Sequence, residues 1–180
     1  MDNQKKVLLV SGSPRDGNTN YILGKISEGL RYPTETVLLK DKDIKHCIGC
    51  LSCHSKPDCG TKDDMYDLLN TMKEADIIVI GTPNYFDNVS GLLKDFIDRT
   101  HPLYKPEALK GKKLVLIMVG GGEPKGTQEF LDTSLYGFVK YHKLDMIGSH
   151  SFKGLDRNDF KKDKDLEQKI NMVIEEISRV

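Results

Sequence analysis

The four cysteines of this chain all fall in one short run, Cys47-Ile48-Gly49-Cys50-Leu51-Ser52-Cys53, followed after His54 to Asp58 by Cys59. Three thiols at C-x2-C-x2-C pitch can face one small centre. A fourth placed locally after Pro57 supplies the set of four thiolates that a cubane iron–sulfur cluster requires. Four cysteines could equally hold a structural zinc, although zinc modules more often separate two C-x2-C pairs by a longer loop. They could also stay as free thiols or a redox pair in a reducing compartment. A secreted disulfide framework is excluded, because its cysteines would be spread to tie distant segments together. His46 and His54 flank the run and read as solvent-facing loop histidines.

A second constellation follows the first apolar run: Ser11-Gly12-Ser13-Pro14-Arg15-Asp16-Gly17-Asn18-Thr19-Asn20. Backbone N–H groups left unpaired at a helix N-terminus, with hydroxyls and one arginine beside them, form a cradle for a phosphate. Neither the Walker pattern nor the three-glycine Rossmann spacing is present. A polar turn capping a helix without any ligand is the competing reading. Two further segments end predicted strands. Pro83-Asn84-Tyr85-Phe86-Asp87 offers a rigid proline, exposed amides and an aromatic wall, unless Tyr85 or Phe86 simply closes over the core. Gly120-Gly121-Gly122 leaves three positions free to take positive φ and lets the backbone approach a flat ligand.

These segments must be carried by a scaffold that brings strand ends together. Short β-branched runs at Val7 to Val10, Thr36 to Leu39, Ile77 to Ile80, Leu114 to Val119 and Leu144 to Ile147 alternate with helical periodicities, the pattern of βαβ units around a parallel sheet. The helices are marked by Leu23, Ile26 and Leu30; by Met65, Leu68, Leu69 and Met72; by Leu92, Leu93, Phe96 and Ile97; by Leu131, Leu135, Phe138 and Val139; and by Leu166, Ile170, Val173, Ile174 and Ile177. Asp63, Ser90 and Thr127 are candidate caps for the second, third and fourth, and the charged run Asp159 to Asp165 reads as a solvated loop before the fifth. On the third helix, Lys94 with Asp98 and Asp95 with Arg99 stand four apart, the spacing of surface ion pairs.

At 180 residues one domain, spanning 1–180, is expected. Equal numbers of basic and acidic residues, 27 each, leave no charge excess to attract nucleic acid or anionic lipid. The first apolar run is too short for a membrane span or signal-peptide core, so a cytoplasmic protein is expected. No Gly-x-Ser-x-Gly elbow suggests a hydrolase.

Gly12-Ser13-Pro14-Arg15 with Gly17-Asn18-Thr19 resembles the phosphate loop of the NADPH-dependent FMN reductase and iron–sulfur flavoprotein branch of the flavodoxin-like superfamily. Pro83-x-Tyr85 and the compact cysteine run are similar to motifs of the same branch. The resemblance implies a five-stranded flavodoxin-like α/β fold of order 2-1-3-4-5, with FMN at the carboxyl edge of the sheet. By position it implies Ser11, Ser13, Arg15, Gly17, Asn18 and Thr19 as phosphate-loop residues. Pro83, Asn84, Tyr85, Phe86, Asp87 and Gly120, Gly121 and Gly122 fall beside the flavin ring, and Cys47, Cys50, Cys53 and Cys59 hold a 4Fe-4S cluster. No side chain is expected to do acid–base catalysis. Ferredoxin or NAD(P)H is the implied redox partner, and a homodimer or homotetramer the implied assembly. A cluster-free NAD(P)H-dependent FMN or quinone reductase, and a non-enzymatic carrier or thiol redox sensor, remain open.

Overall fold

The computed structural model describes residues 4–156, 159–161 and 165–180. Five strands, β1 (Val7–Ser11), β2 (Thr34–Leu38), β3 (Ile77–Pro83), β4 (Lys113–Gly120) and β5 (Asp145–Lys153), form one parallel sheet in the order β2-β1-β3-β4-β5. Among the described residues six α-helices accompany them: α1 (Asn18–Gly29), α2 (Ser52–Ser55), α3 (Met65–Glu74), α4 (Gly91–Asp98), α5 (Pro124–His142) and α6 (Leu166–Ser178).

The near-continuous apolar runs of β1, β3 and β4 follow from burial on both faces. Successive side chains alternate between faces. Leu8, Val10, Ile78, Ile80, Leu114, Leu116 and Met118 pack with α3, α4 and α5, whereas Val7, Leu9, Ile77, Val79, Val115 and Ile117 pack with α1 and α6. Among the described residues no helix is long and apolar enough to cross a membrane.

Several element ends differ from the sequence expectation, among them the end of β3, which runs on past Ile80 to Pro83. β2 starts at Thr34, and Leu39 leaves it to open a 3-10 turn through Asp41. β5 runs on to Lys153, beyond the expected Ile147, because the polar stretch Gly148 to Ser151 still pairs with β4 past an irregularity at Leu114/Val115. An edge strand exposes one side to water, so its sequence lacks the apolar run that marks the central strands. α5 begins at Pro124, whose fixed φ suits the first helical position, and Thr127 lies buried in the helix instead of capping it. Ser90 does cap α4, its Oγ accepting the Leu93 N–H at 3.2 Å. Of the charged run, 159–161 form a 3-10 turn and 162–164 lie outside the described residues.

His142, the last residue of α5, is buried under Phe138, and desolvation holds its pKa down to about 4, with a smaller repulsion from His101. Between that value and the ordinary 6.5 the unfolded chain binds the proton and the folded chain does not. Stability is therefore complete above pH 6.5 and falls on acidification toward pH 4, by up to about 3 kcal/mol from this group. Urea unfolding at pH 7.0 and 4.5 checks this: His142→Asn should lose a smaller share of its stability across that interval than the unsubstituted chain, and equal losses would contradict it.

Candidate functional site

β1 pairs with β2 on one side and β3 on the other, so the loop leaving β1 lies where the strand order reverses, the usual ligand position of an open α/β sheet. The loop is pressed onto α4. Gly12 donates its N–H to Gly81 O at 2.8 Å, and Ser90 Oγ donates to Gly12 O at 2.5 Å. A Cβ at Gly12 would stand 2.7 Å from Leu93 Cβ, so only glycine permits this approach. Beyond it, Ser13 N–H donates to Ser11 Oγ at 3.3 Å and Ser13 Oγ donates to Arg15 O at 2.6 Å. Ser11, Ser13, Asn18 and Thr19 are all buried at the mouth of α1. Gly17 precedes that helix in extended conformation with no side-chain cap, and no acidic residue occupies the first turn. First-turn amides without a capping acceptor, together with buried hydroxyls, suit an anion. Two residues that sequence reasoning missed close over this loop: Arg15 Nη2 donates to Leu155 O at 3.3 Å and Asn18 Nδ2 to Asp156 O at 3.0 Å.

The β3 and β4 loops adjoin each other. Asn84 N–H donates to Val119 O at 2.7 Å, and a Cβ at Gly120 would meet Asn84 Cβ at 2.7 Å. None of Gly120, Gly121 and Gly122 takes the positive φ expected of them; close packing, on Asn84 and on Leu155, is what requires glycine at the first two. After Pro83 and Asn84 comes a tight turn. Tyr85 and Asn88 exchange backbone hydrogen bonds of 3.0 and 3.2 Å, with Phe86 and Asp87 at φ 52° and 58° between them. Left-handed backbone is costly for a phenylalanine and collects at functional sites. Phe86 is wholly exposed and Tyr85 is 41% exposed, so neither closes over the core. Asn84 Oδ1 is buried without a partner among the described residues, an orphaned acceptor able to meet a ligand N–H.

The cysteine loop reaches the other end of α4. Cys47, Cys50, Cys53 and Cys59 line one cavity of about 220 Å³, with Arg99 and His101 among its other walls. All four are free thiols. The loop is fastened by Arg99, whose expected surface pair with Asp95 does not form. The side chains of Arg99 and Asp63 are 1% and 0% exposed and meet in a two-pronged ion pair, Nη1 to Oδ2 at 2.7 Å and Nη2 to Oδ1 at 2.9 Å. Arg99 also donates to Lys45 O at 2.7 Å and Thr61 O at 3.3 Å, clasping the two ends of the loop. Asp63 accepts the N–H groups of Lys45 and Met65 at 3.0 and 3.1 Å. Burial would raise its pKa, but Arg99 and these amides outweigh burial and hold it low. Asp95 pairs instead with His46 at 2.9 Å, while Lys94 and Asp98 form the expected surface pair at 2.6 Å.

Within the cavity, Cys53 Sγ lies 3.3 Å from His101 Nδ1, and His101 stacks on His54 with ring centroids 5.1 Å apart. The ligand atoms of Cys53, His54 and His101 all lie within 4.8 Å of one another. Ser52 hydrogen-bonds the Cys50 thiol and lowers its pKa; burial raises that of Cys53. His101 had no sequence signal, since it lies far along the chain from the thiols. The donor set is soft, sulfur-rich and partly open to solvent, which fits an iron–sulfur cluster or zinc. α4, at 1.5 Å per residue, puts about 12 Å between the phosphate loop at its start and this cavity at its end.

A sheet of this order with a phosphate-type loop at its switch point defines a flavodoxin-like protein. Solved structures agree on the fold: a flavone reductase superposes with TM-score 0.71 at 18% identity over 94% of this chain and 59% of its own, and an archaeal flavodoxin with TM-score 0.59 at 16% over 97% of each. Residues 5–141 match the NADPH-dependent FMN reductase family, and the chain belongs to that family of flavin-dependent oxidoreductases. It is 40% identical to an iron-sulfur flavoprotein of Archaeoglobus fulgidus over 72% of this chain and 66% of that protein. It is 36% identical to one of Methanocaldococcus jannaschii over 81% and 77%. The chain thus spans about two thirds of the first relative's length and about three quarters of the second's.

Removing one partner of a buried ion pair strands the other charge. Arg99→Met should lower the urea unfolding free energy by about 3–5 kcal/mol, and adding Asp63→Leu should recover part of it. A loss below about 1 kcal/mol, in the range of a surface pair, would show that the clasp is not formed.

Proposed function

We propose that this chain is an FMN-dependent electron-transfer oxidoreductase in which Cys47, Cys50, Cys53 and Cys59 hold a 4Fe-4S cluster. The single observation that carries the reading is the convergence of all four thiols on one cavity, clasped by a buried ion pair, in a member of a flavin reductase family. The iron-sulfur flavoprotein relatives support it.

Bound FMN would supply hydride and single-electron chemistry, and a cluster single-electron steps. The chain's own residues bind, orient and shield. The first-turn amides of α1 with Ser11, Ser13, Arg15, Asn18 and Thr19 hold the phosphate; Asn84 offers Oδ1 to a ring N–H; Tyr85 and Phe86 provide an aromatic wall. Arg99 keeps the thiols gathered, and its charge adds to the Ser52 hydrogen bonds that favour the anionic form of Cys50. No acid–base side chain is needed. Ferredoxin or NAD(P)H is the proposed donor, and the cytoplasm the proposed setting. The separation of the two loops along α4 supports a homo-oligomer in which a neighbouring copy brings thiols and flavin closer.

A cluster-free NAD(P)H-dependent reductase is the second reading, favoured by the family match itself and by the exposed Cys50, whose lowered pKa suits a reactive thiol.

Iron and flavin content of anaerobically purified variants tests the assignment. Cys50→Ala should lose iron and keep FMN. Ser13→Ala with Arg15→Ala should keep iron and weaken FMN at least about tenfold, the worth of one charge-assisted hydrogen bond. Unchanged iron in the first variant, or unchanged FMN affinity in the second, would contradict it.

A further inference from the structure

His101 lines the cysteine cavity without belonging to the cysteine loop, and its Nδ1 lies 3.3 Å from Cys53 Sγ. Its backbone is fixed on both sides. Arg99, two residues earlier, is held by Asp63, and Pro102 and Leu103, which follow, are buried. The turn is closed by Leu103 N–H donating to Thr100 O at 2.9 Å and Tyr104 N–H to His101 O at 3.0 Å. The ring is fixed as well. It stacks on His54 within 16° of parallel at 5.1 Å and meets Tyr104 at 5.7 Å. Lys105 Nζ donates to His54 O at 2.5 Å, which ties the turn bearing Cys53 to the segment that carries the imidazole.

Cys53 has more use for a donor than an exposed thiol has. Burial pushes its pKa up against one backbone hydrogen bond, and the other three thiols push the same way. Cys50, by contrast, is exposed and already has Ser52 Oγ at 3.4 Å. A sulfur bound to iron carries no hydrogen, so beside a ligating thiolate the hydrogen of the 3.3 Å contact sits on Nδ1. An N–H held on a ligand sulfur favours the redox state that puts more negative charge there. Uptake of one electron adds such charge. No bond forms or breaks in that step, and no proton leaves Nδ1.

We propose that His101 is a positioning residue for electron transfer, donating Nδ1–H to the Cys53 thiolate and raising the reduction potential of the 4Fe-4S cluster. The assignment rests on the four-cysteine reading and adds to it a donor from outside the loop. The competing role is ligation of a metal by His101 itself, with Cys53 and His54, since the ligand atoms of the three lie within 4.8 Å of one another.

Redox titration of the anaerobically purified full chain, followed by electron paramagnetic resonance of the reduced cluster, tests the proposal, with iron counted in every sample. His101→Phe keeps a ring against His54 and removes the donor. It should retain iron and lower the reduction equilibrium constant at least about threefold, about 28 mV for one electron. His101→Asn places an amide N–H at the position of Nδ1 and should recover most of that shift. His54→Phe keeps the stacked pair and the contact of His101 with Cys53, and should leave the potential unchanged. An unchanged potential in iron-replete His101→Phe, no recovery in His101→Asn, or an equal shift in His54→Phe overturns the proposal and leaves the cluster in place. Loss of iron from both His101 variants overturns it too, because His101 would then be a ligand; loss from His101→Phe alone, with iron and potential kept in His101→Asn, upholds the donor. An unsubstituted chain without iron overturns the four-cysteine reading and this proposal with it.

Discussion

Arg99 and Asp63 form the contact on which the cysteine loop depends. Their carboxylate and guanidinium face each other in a two-pronged geometry with almost no exposure, and the same two terminal nitrogens of Arg99 also reach the carbonyls at either end of the loop, while its Nε is buried without a partner among the described residues. A buried pair seldom adds net stability over an apolar substitute, but it fixes geometry because either charge alone is untenable there. Here the geometry fixed is that of four thiols. The loop has no strand and only one short helical turn, α2, so without this clasp little would hold Cys47 and Cys59 to one cavity.

α4 joins that clasp to the proposed flavin end of the molecule. Its capping residue, Ser90, holds the Gly12 carbonyl, and the residue following its last turn is Arg99. One helix of eight residues therefore positions both the phosphate loop and the cysteine cavity, each by a buried hydrogen bond or ion pair. A shift of α4 against the sheet would disturb both together, which couples the two candidate sites through packing.

Much of the scaffold was legible in the sequence because its signals are local. Central strands buried on both faces read as apolar runs, the helices as 3.6-residue stripes, and Ser90 as a cap before an apolar stretch. The long polar half of β5 was not legible, since an edge strand needs no apolar run, nor was the start of α5, where Pro124 supplied the start signal and Thr127 drew attention instead. In the site, the cysteine spacing and the Ser-Gly loop were visible as motifs. The tether was hidden: Arg99 has a plausible partner four residues back in Asp95, while its actual partner lies 36 residues away. His101, Leu155 and Asp156 reach the loops only through tertiary folding and carry no local pattern. None of the three glycines after β4 takes the positive φ expected of it; Gly120 packs on Asn84 and Gly121 on Leu155, contacts that no local pattern announces.

The central claim is that one chain carries a flavin phosphate cradle and a four-thiol cluster site together. Iron, acid-labile sulfide and FMN measured on protein purified without oxygen test it most directly. The account predicts four irons, four sulfides and one FMN per chain, with flavin bands over a broad absorption near the blue. Stoichiometric zinc with no iron, or iron without bound FMN, would contradict it.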